Sequence, residues 1–268
     1  AKEAAEKFGA QSVATDSTEV VQRDDIDALS IVTPNHLHAE ISIAAIEAGK
    51  HVFCEKPMAM NYAQAKEMAR AAEQAGVQTG INFSYRGFPA ARYSQEIISE
   101  GQLGRILHVN AHYLSGAAVG SDIPLVWRVQ KDRAGTFALG DIGSHLIDQV
   151  EWISGETITS LVADQRTFFD QRRAPDGTGT VPSEVDDATA LITRFAAGGM
   201  GSLVASHSAT ARKYEVRLEI CGERGALIYD LSDQENIIQA SGASLADNPL
   251  VPTPEPERFK MHEPQVWR

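Results

Sequence analysis

Polar residues with the means to do chemistry gather in a few short clusters along this sequence of 268 residues. Three of them follow apolar runs: Thr33-Pro34-Asn35 with His36 and His38, Glu55-Lys56-Pro57, and Asn82 with Ser84, Tyr85 and Arg86. Lys56 comes directly after an apolar stretch, and the following proline biases it toward an extended backbone, so its amine is aimed. The plain alternative is a solvated loop lysine paired with Glu55. Asn35 has a simpler role open to it, as the N-cap of a helix beginning at His36. The fourth cluster is Gly140-Asp141-Ile142-Gly143-Ser144-His145-Leu146-Ile147-Asp148. In a running helix Asp141 and His145 stand at i and i+4 and share a face. A carboxylate that orients an imidazole and raises its basicity suits acid–base work near neutral pH. A helix cap with a structural histidine fits the same residues. A metal site would need further ligands, and no paired-cysteine or spaced-histidine motif supplies them. Trp127-Arg128 precedes this cluster: arginine can hold phosphate or hydroxyl-rich ligands and tryptophan can lie against a sugar ring, or the two form an ordinary packing pair.

The elements that must position these residues read as β-α-β-α-β over the first third. Strands are expected at 28–32, 51–54 and 77–83, with helices at 36–48 and 61–75, the second opened by Asn61 and closed by Gly76. That alternation predicts a parallel sheet with right-handed helical crossovers. All three polar turns then fall at the carboxyl ends of the strands, the edge where such sheets bind ligands. Past residue 85 the rhythm changes. A helix at 90–100, a strand at 106–113 and a helix at 143–153 precede strands at 158–169, 188–196, 200–208, 214–221 and 226–230. Tight turns at 197–199 and 222–225 point to an antiparallel sheet. The expectation is therefore α/β plus α+β: a partial Rossmann parallel sheet over 1–85, then a domain with a large open antiparallel sheet over 86–268. The first residues read as a helix closed by Gly9, entered part-way. The proline-rich stretch from 248 onward reads as loop. Both suggest a fragment of a longer product.

Hydrophobic residues make up 43% of the chain, enough for a real core, and no apolar run approaches a membrane span. The net charge of −12 repels phosphate backbones and anionic lipid, so neither nucleic acid nor membrane is expected as a partner. Cys54 and Cys221 make neither a disulfide framework nor a zinc knuckle, in keeping with a reducing, cytoplasmic setting.

Taken in order, the clusters resemble the Gfo/Idh/MocA oxidoreductases. The matching residues are Thr33-Pro34-Asn35 with His38, Glu55-Lys56-Pro57, Asn82 through Arg86, Trp127-Arg128, Asp141-Ile142-Gly143-Ser144-His145 with Asp148, and the late Gly222-Glu223-Arg224-Gly225-Ala226-Leu227 turn. The resemblance implies NAD or NADP as cofactor and a sugar, inositol or other polyol as substrate. It assigns Lys56 to the nicotinamide and the reacting hydroxyl, and it makes His145 the proton acceptor beside Asp141. Thr33, Pro34, Asn35, His38, Glu55, Asn82, Trp127 and Arg128 would contact the cofactor, and Tyr85 and Arg86 the substrate. A homo-oligomer through the open sheet is also implied. The family's opening Gly-x-Gly-x-x-Gly turn is absent, and with it the usual pyrophosphate cradle on a helix N-terminus, so weak dinucleotide binding is expected. Two rival activities are an NAD-assisted cleavage of glycosides and a non-catalytic sugar or nucleotide sensor on the same scaffold. A metal-dependent hydrolase stands further off.

Overall fold

The computed structural model describes residues 2–234, 236–241 and 249–259. They form two compact units: the residues up to 82 together with 132–135, and the remainder.

In the first unit, α1 (Lys2–Phe8) is closed by Gly9 at φ +69°, a left-handed position that suits a residue without Cβ. Helix α2 (Ser17–Val21) starts at Asp16, whose carboxylate accepts the Thr18 N–H. Then come β1 (Ala28–Ile31), a 3-10 turn (Asn35–Leu37), α3 (His38–Glu47), β2 (His51–Cys54), α4 (Tyr62–Ala75) and β3 (Thr79–Ile81). The strands pair in parallel in the order β1-β2-β3. Asn61 accepts the Gln64 N–H and Gly76 sits at φ +65°, so α4 has the start and stop expected of it. One core binds sheet to helices: Ile31, Val52 and Cys54 pack with Ala45, Ile46 and Val21.

The second unit runs α5 (Pro89–Ser99), β4 (Ile106–Leu114), a 3-10 turn (Trp127–Val129), a π-helical turn (Leu139–Gly143) and α7 (Ser144–Ser154), while the short α6 (Lys131–Ala134) belongs from Asp132 onward to the first unit. It continues with β5 (Ile158–Arg166), β6 (Gln171–Arg173), β7 (Thr180–Pro182), β8 (Ala188–Phe195), β9 (Met200–Ser206), β10 (Glu215–Gly222), β11 (Gly225–Asp230), β12 (Asn236–Ser241) and β13 (Val251–Pro254). Eight strands make one sheet in the order β13-β12-β11-β10-β4-β9-β8-β5. Six of its seven ladders are antiparallel, as expected, and one parallel pair makes the sheet mixed. Strand β4, early in the chain, inserts between β9 and β10 and pairs parallel with β9. The hairpins at 197–199 and 222–225 are antiparallel as expected, but hairpin signals report only consecutive strands and say nothing of a distant third. Pro252 and Pro254 lie in β13, an edge strand, where a missing N–H is tolerated, so the loop expected there is partly strand. The rest of that expectation, at 248 and 260–268, lies outside the described residues. Along β8 every second residue is buried (Thr189, Leu191, Thr193, Phe195), and Leu191 and Phe195 share one core with Leu146, Val150 and Ile153 of α7.

Candidate active site

The turns after the three parallel strands are tied to one another. His38, fully buried, contacts the Thr33 carbonyl through Nε2 and the Pro57 carbonyl through Nδ1, each at 2.9 Å. Its ring therefore braces the first two turns. Glu55 accepts from the Asn82 side-chain amide at 2.6 Å and from the Lys56 backbone N–H at 3.2 Å, which joins the second and third turns. Lys56 is half-buried and its bond to Pro57 is cis. Pro34 stands at the cap position of the 3-10 turn, without a side-chain cap there. Asn35 does not cap a helix. Its amide donates to the Ala134 carbonyl at 3.0 Å, so the polar group is spent on the returning segment 132–135. The Thr33 hydroxyl and His36 Nδ1 are buried with no hydrogen-bond partner among the described residues. A buried polar atom without a partner is costly, and at a strand-end edge it is suited to a ligand's ribose or amide.

In the second unit Tyr85 and Arg86 lie on a 3-10 turn (Ser84–Gly87). The Tyr85 ring stacks on the His145 imidazole, centroids 4.2 Å apart and planes 9° from parallel. Its hydroxyl meets that of Tyr113 at 2.8 Å, from the buried face of β4. Burial, first, and the charge of Asp141 push the Tyr85 hydroxyl above its ordinary range, against the pull of the Tyr113 bond. Tyr113 is pushed up more strongly, by burial first and then by Tyr85 and Asp141. Arg86 pairs with an acidic residue of α7. Its guanidinium forks onto Asp148 (Nε at 3.0 and 3.2 Å, Nη2 at 2.5 Å) and lies over Phe83 and Trp152. Asp148 is one helical step beyond His145, so this pair staples the Tyr85 turn to α7.

Asp141 stands on the π-helical turn that leads into α7, four residues before His145. Its Oδ2 meets His207 Nε2 at 3.1 Å, and its Oδ1 lies 4.0 Å from Arg128 Nε. Arg128 rests over the Trp127 ring at 4.5 Å, so the two do pack together while the guanidinium faces the carboxylate. His207 is not singled out in the sequence, and its partner Asp141 lies 66 residues away. The signal was there: it alternates in phase with the buried Leu203 and Ala205. Gly143 lets the turn approach β9, since a Cβ there would lie 3.4 Å from the Ala205 Cβ and 3.2 Å from Leu139 Cδ1.

Residues 91–228 match the GFO/IDH/MocA C-terminal domain, and residues 1–83 match the oxidoreductase family with an NAD-binding Rossmann fold. The chain belongs to the Gfo/Idh/MocA oxidoreductases. This member is 36% identical over 259 residues to levoglucosan dehydrogenase of Pseudarthrobacter phenanthrenivorans, covering 92% of this chain and 66% of that one. It is 33% identical over 218 residues to 1,5-anhydro-D-fructose reductase of Ensifer adhaerens, covering 80% and 60%. The crystal structure of a levoglucosan dehydrogenase in complex with NADH and levoglucosan superposes with a TM-score of 0.88 at 35% identity, over 95% of this chain and 68% of that one. The chain thus spans 60–66% of the length of these two curated relatives.

Proposed function

We propose that the protein is an NAD-dependent oxidoreductase acting on a CH–OH carbon of a cyclic sugar, an anhydro-sugar or a related polyol. The observation that carries this reading is the constellation in the second unit: a buried imidazole, His145, held flat by Tyr85, with the fixed carboxylate Asp141 on the adjoining turn. Such a pair suits removal of a hydroxyl proton. The strand-end turns of the first unit fit the cofactor by their chemistry. The Thr33 hydroxyl is buried without a partner among the described residues, and Glu55 and Asn82 hold the polar edge beside Lys56. Thr33, Pro34 and Lys56 would hold the nicotinamide end. A bound nicotinamide supplies the hydride acceptor. In the oxidation, His145 takes the hydroxyl proton while the carbinol carbon gives up its hydride and becomes a carbonyl. By the family resemblance, Lys56 would stabilise the oxygen as negative charge grows on it. Arg128 and Trp127 border the carboxylate and present a cation and a ring face suited to a sugar. The names of the relatives favour anhydro-sugars as the first substrates to test.

Two further readings accompany this one. The outer face of the large sheet exposes Val162, Ile192, Met200 and Val204, which supports assembly with a second copy through that face. Cys54 and Cys221 are both free thiols, which fits a reducing compartment such as the cytoplasm. No described helix is long and apolar enough to cross a membrane.

The test is a screen of levoglucosan, 1,5-anhydro-sugars and myo-inositol with NAD and NADP, read by reduced nicotinamide absorbance. Turnover with at least one of them is expected. Lys56→Ala should lower it by orders of magnitude while circular dichroism stays unchanged. Near wild-type turnover in that variant rejects the assignment of Lys56.

A further inference from the structure

Resting on the reading above, we infer that His207 is a positioning residue: it fixes the carboxylate of Asp141 by donating from Nε2 while leaving the negative charge intact. The ring sits immediately past β9 and is 3% exposed. Its backbone is pinned on both sides, His207 N–H to the Asp187 carbonyl at 3.0 Å and the His207 carbonyl to Ala118 N–H at 3.2 Å. One face of the imidazole stacks on Phe137, centroids 4.2 Å apart and planes 14° from parallel. Phe137 is itself anchored. Its N–H donates to Asp186 Oδ1 at 2.7 Å, and the Leu139 N–H donates to Oδ2 of the same carboxylate at 2.7 Å. The Asp141 N–H returns to the Phe137 carbonyl at 2.8 Å. Asp141 is therefore held twice to one platform, by its backbone through Phe137 and by its side chain through the histidine lying on that ring.

The proton on His207 can be placed. A carboxylate accepts and does not donate, so the Nε2 facing Asp141 carries hydrogen. Nδ1 is buried and has no hydrogen-bond partner among the described residues. A second proton there would be a buried donor with no acceptor, which the interior disfavours. His207 is thus neutral, in the Nε2–H form. The His207–Asp141 pair keeps a net charge of −1, and that charge reaches Arg128, Tyr85 and Tyr113. A charged histidine would cancel it. The residue acts on the reaction through Asp141, without meeting the reacting atoms.

The experiment compares the full chain with His207→Phe, which keeps the stack on Phe137 and removes the donor, and with His207→Gln, whose amide nitrogen reaches near the place of Nε2. For His207→Phe, kcat should fall about 10- to 100-fold with KM within about threefold, the scale expected when a catalytic group is misplaced by about 1 Å. His207→Gln should recover about tenfold of that loss. Independently of turnover, two-bond 15N–1H spectra of the wild type should show the His207 resonance, identified by its loss in His207→Gln, as a neutral Nε2–H tautomer at pH 7. An Nδ1–H tautomer, an imidazolium at pH 7, or a His207→Phe kcat within twofold of wild type would overturn the inference. If the wild type oxidises no polyol, the proposed function falls, and the spectra still judge the pairing.

Discussion

Arg86→Ala should destabilise the second unit by removing the ion that neutralises Asp148. The Asp148 side chain is 7% exposed and the Arg86 side chain 48% exposed, so water reaches one end of the pair and not the other. Breaking a fully buried pair costs about 3–5 kcal/mol, because a charge is left without compensation. A fully exposed pair contributes about 0–1 kcal/mol. With one partner buried and the other half in solvent, the loss should fall between these limits, about 2–3 kcal/mol. For a unit of this size that corresponds to a fall in Tm of roughly 4–12 °C. The assay is urea unfolding followed by tryptophan fluorescence, since Trp152 lies against the Arg86 guanidinium and reports locally. Asp148→Asn in the Arg86→Ala background should recover most of the loss, because no charge then remains buried. Two results refute the reasoning: a single-variant cost under about 0.5 kcal/mol, or a double variant that loses the sum of both singles. Tyr85 neighbours Arg86 in the chain, so the variant should also loosen the Tyr85–His145 stack.

Two further outcomes follow from the buried hydroxyls and the buried thiol. Burial raises Tyr85, Tyr113 and Tyr229 in the folded state, so folding favours their protonated forms. Their contribution is complete below the unfolded value of about 10 and is lost as pH rises above it. Urea midpoints should fall between pH 9 and pH 11, and Tyr113→Phe should make that fall shallower; an equally steep fall would count against it. Cys54 is pushed up to about 11, chiefly by burial. At pH 8 its thiolate fraction should be about a hundredfold below that of an unperturbed thiol, and Cys221, half-buried, is pushed up as well but less, so a disulfide reagent should label Cys221 first. Labelling of both at one rate would show that Cys54 is open to solvent.

The parallel half of the fold was legible because its signals are local. Asn61 and Gly76 bound α4 by capping chemistry that depends on a few neighbouring residues, and 51–54 became a strand without adjustment. The mixed sheet was not legible, because β4 meets β9 across more than eighty residues and no turn residue records that pairing. The site divided in the same way. Lys56, Asp141 and His145 were visible as residue types following strands or opening a helix. The family resemblance implies ligand contacts for Asn35, His38 and Arg86; their side chains also meet Ala134, two backbone carbonyls and Asp148, partners that lie far away in sequence or in other turns. His207 was missed because its partner is distant in sequence, although its buried phase in the strand was readable.

The placement of β4 bears on the order in which the second unit can assemble during synthesis. Both neighbours of β4 in the sheet, β9 and β10, are encoded downstream of it, the first starting at Met200. At about 5–20 residues per second, β4 leaves the ribosome roughly 4–17 s before its first neighbour. Over that interval its backbone donors and acceptors, and the apolar side of Val109, Ala111 and Tyr113, have no strand to meet. The nascent chain therefore passes through a stage that chaperones are suited to shield, and the centre of the sheet closes late.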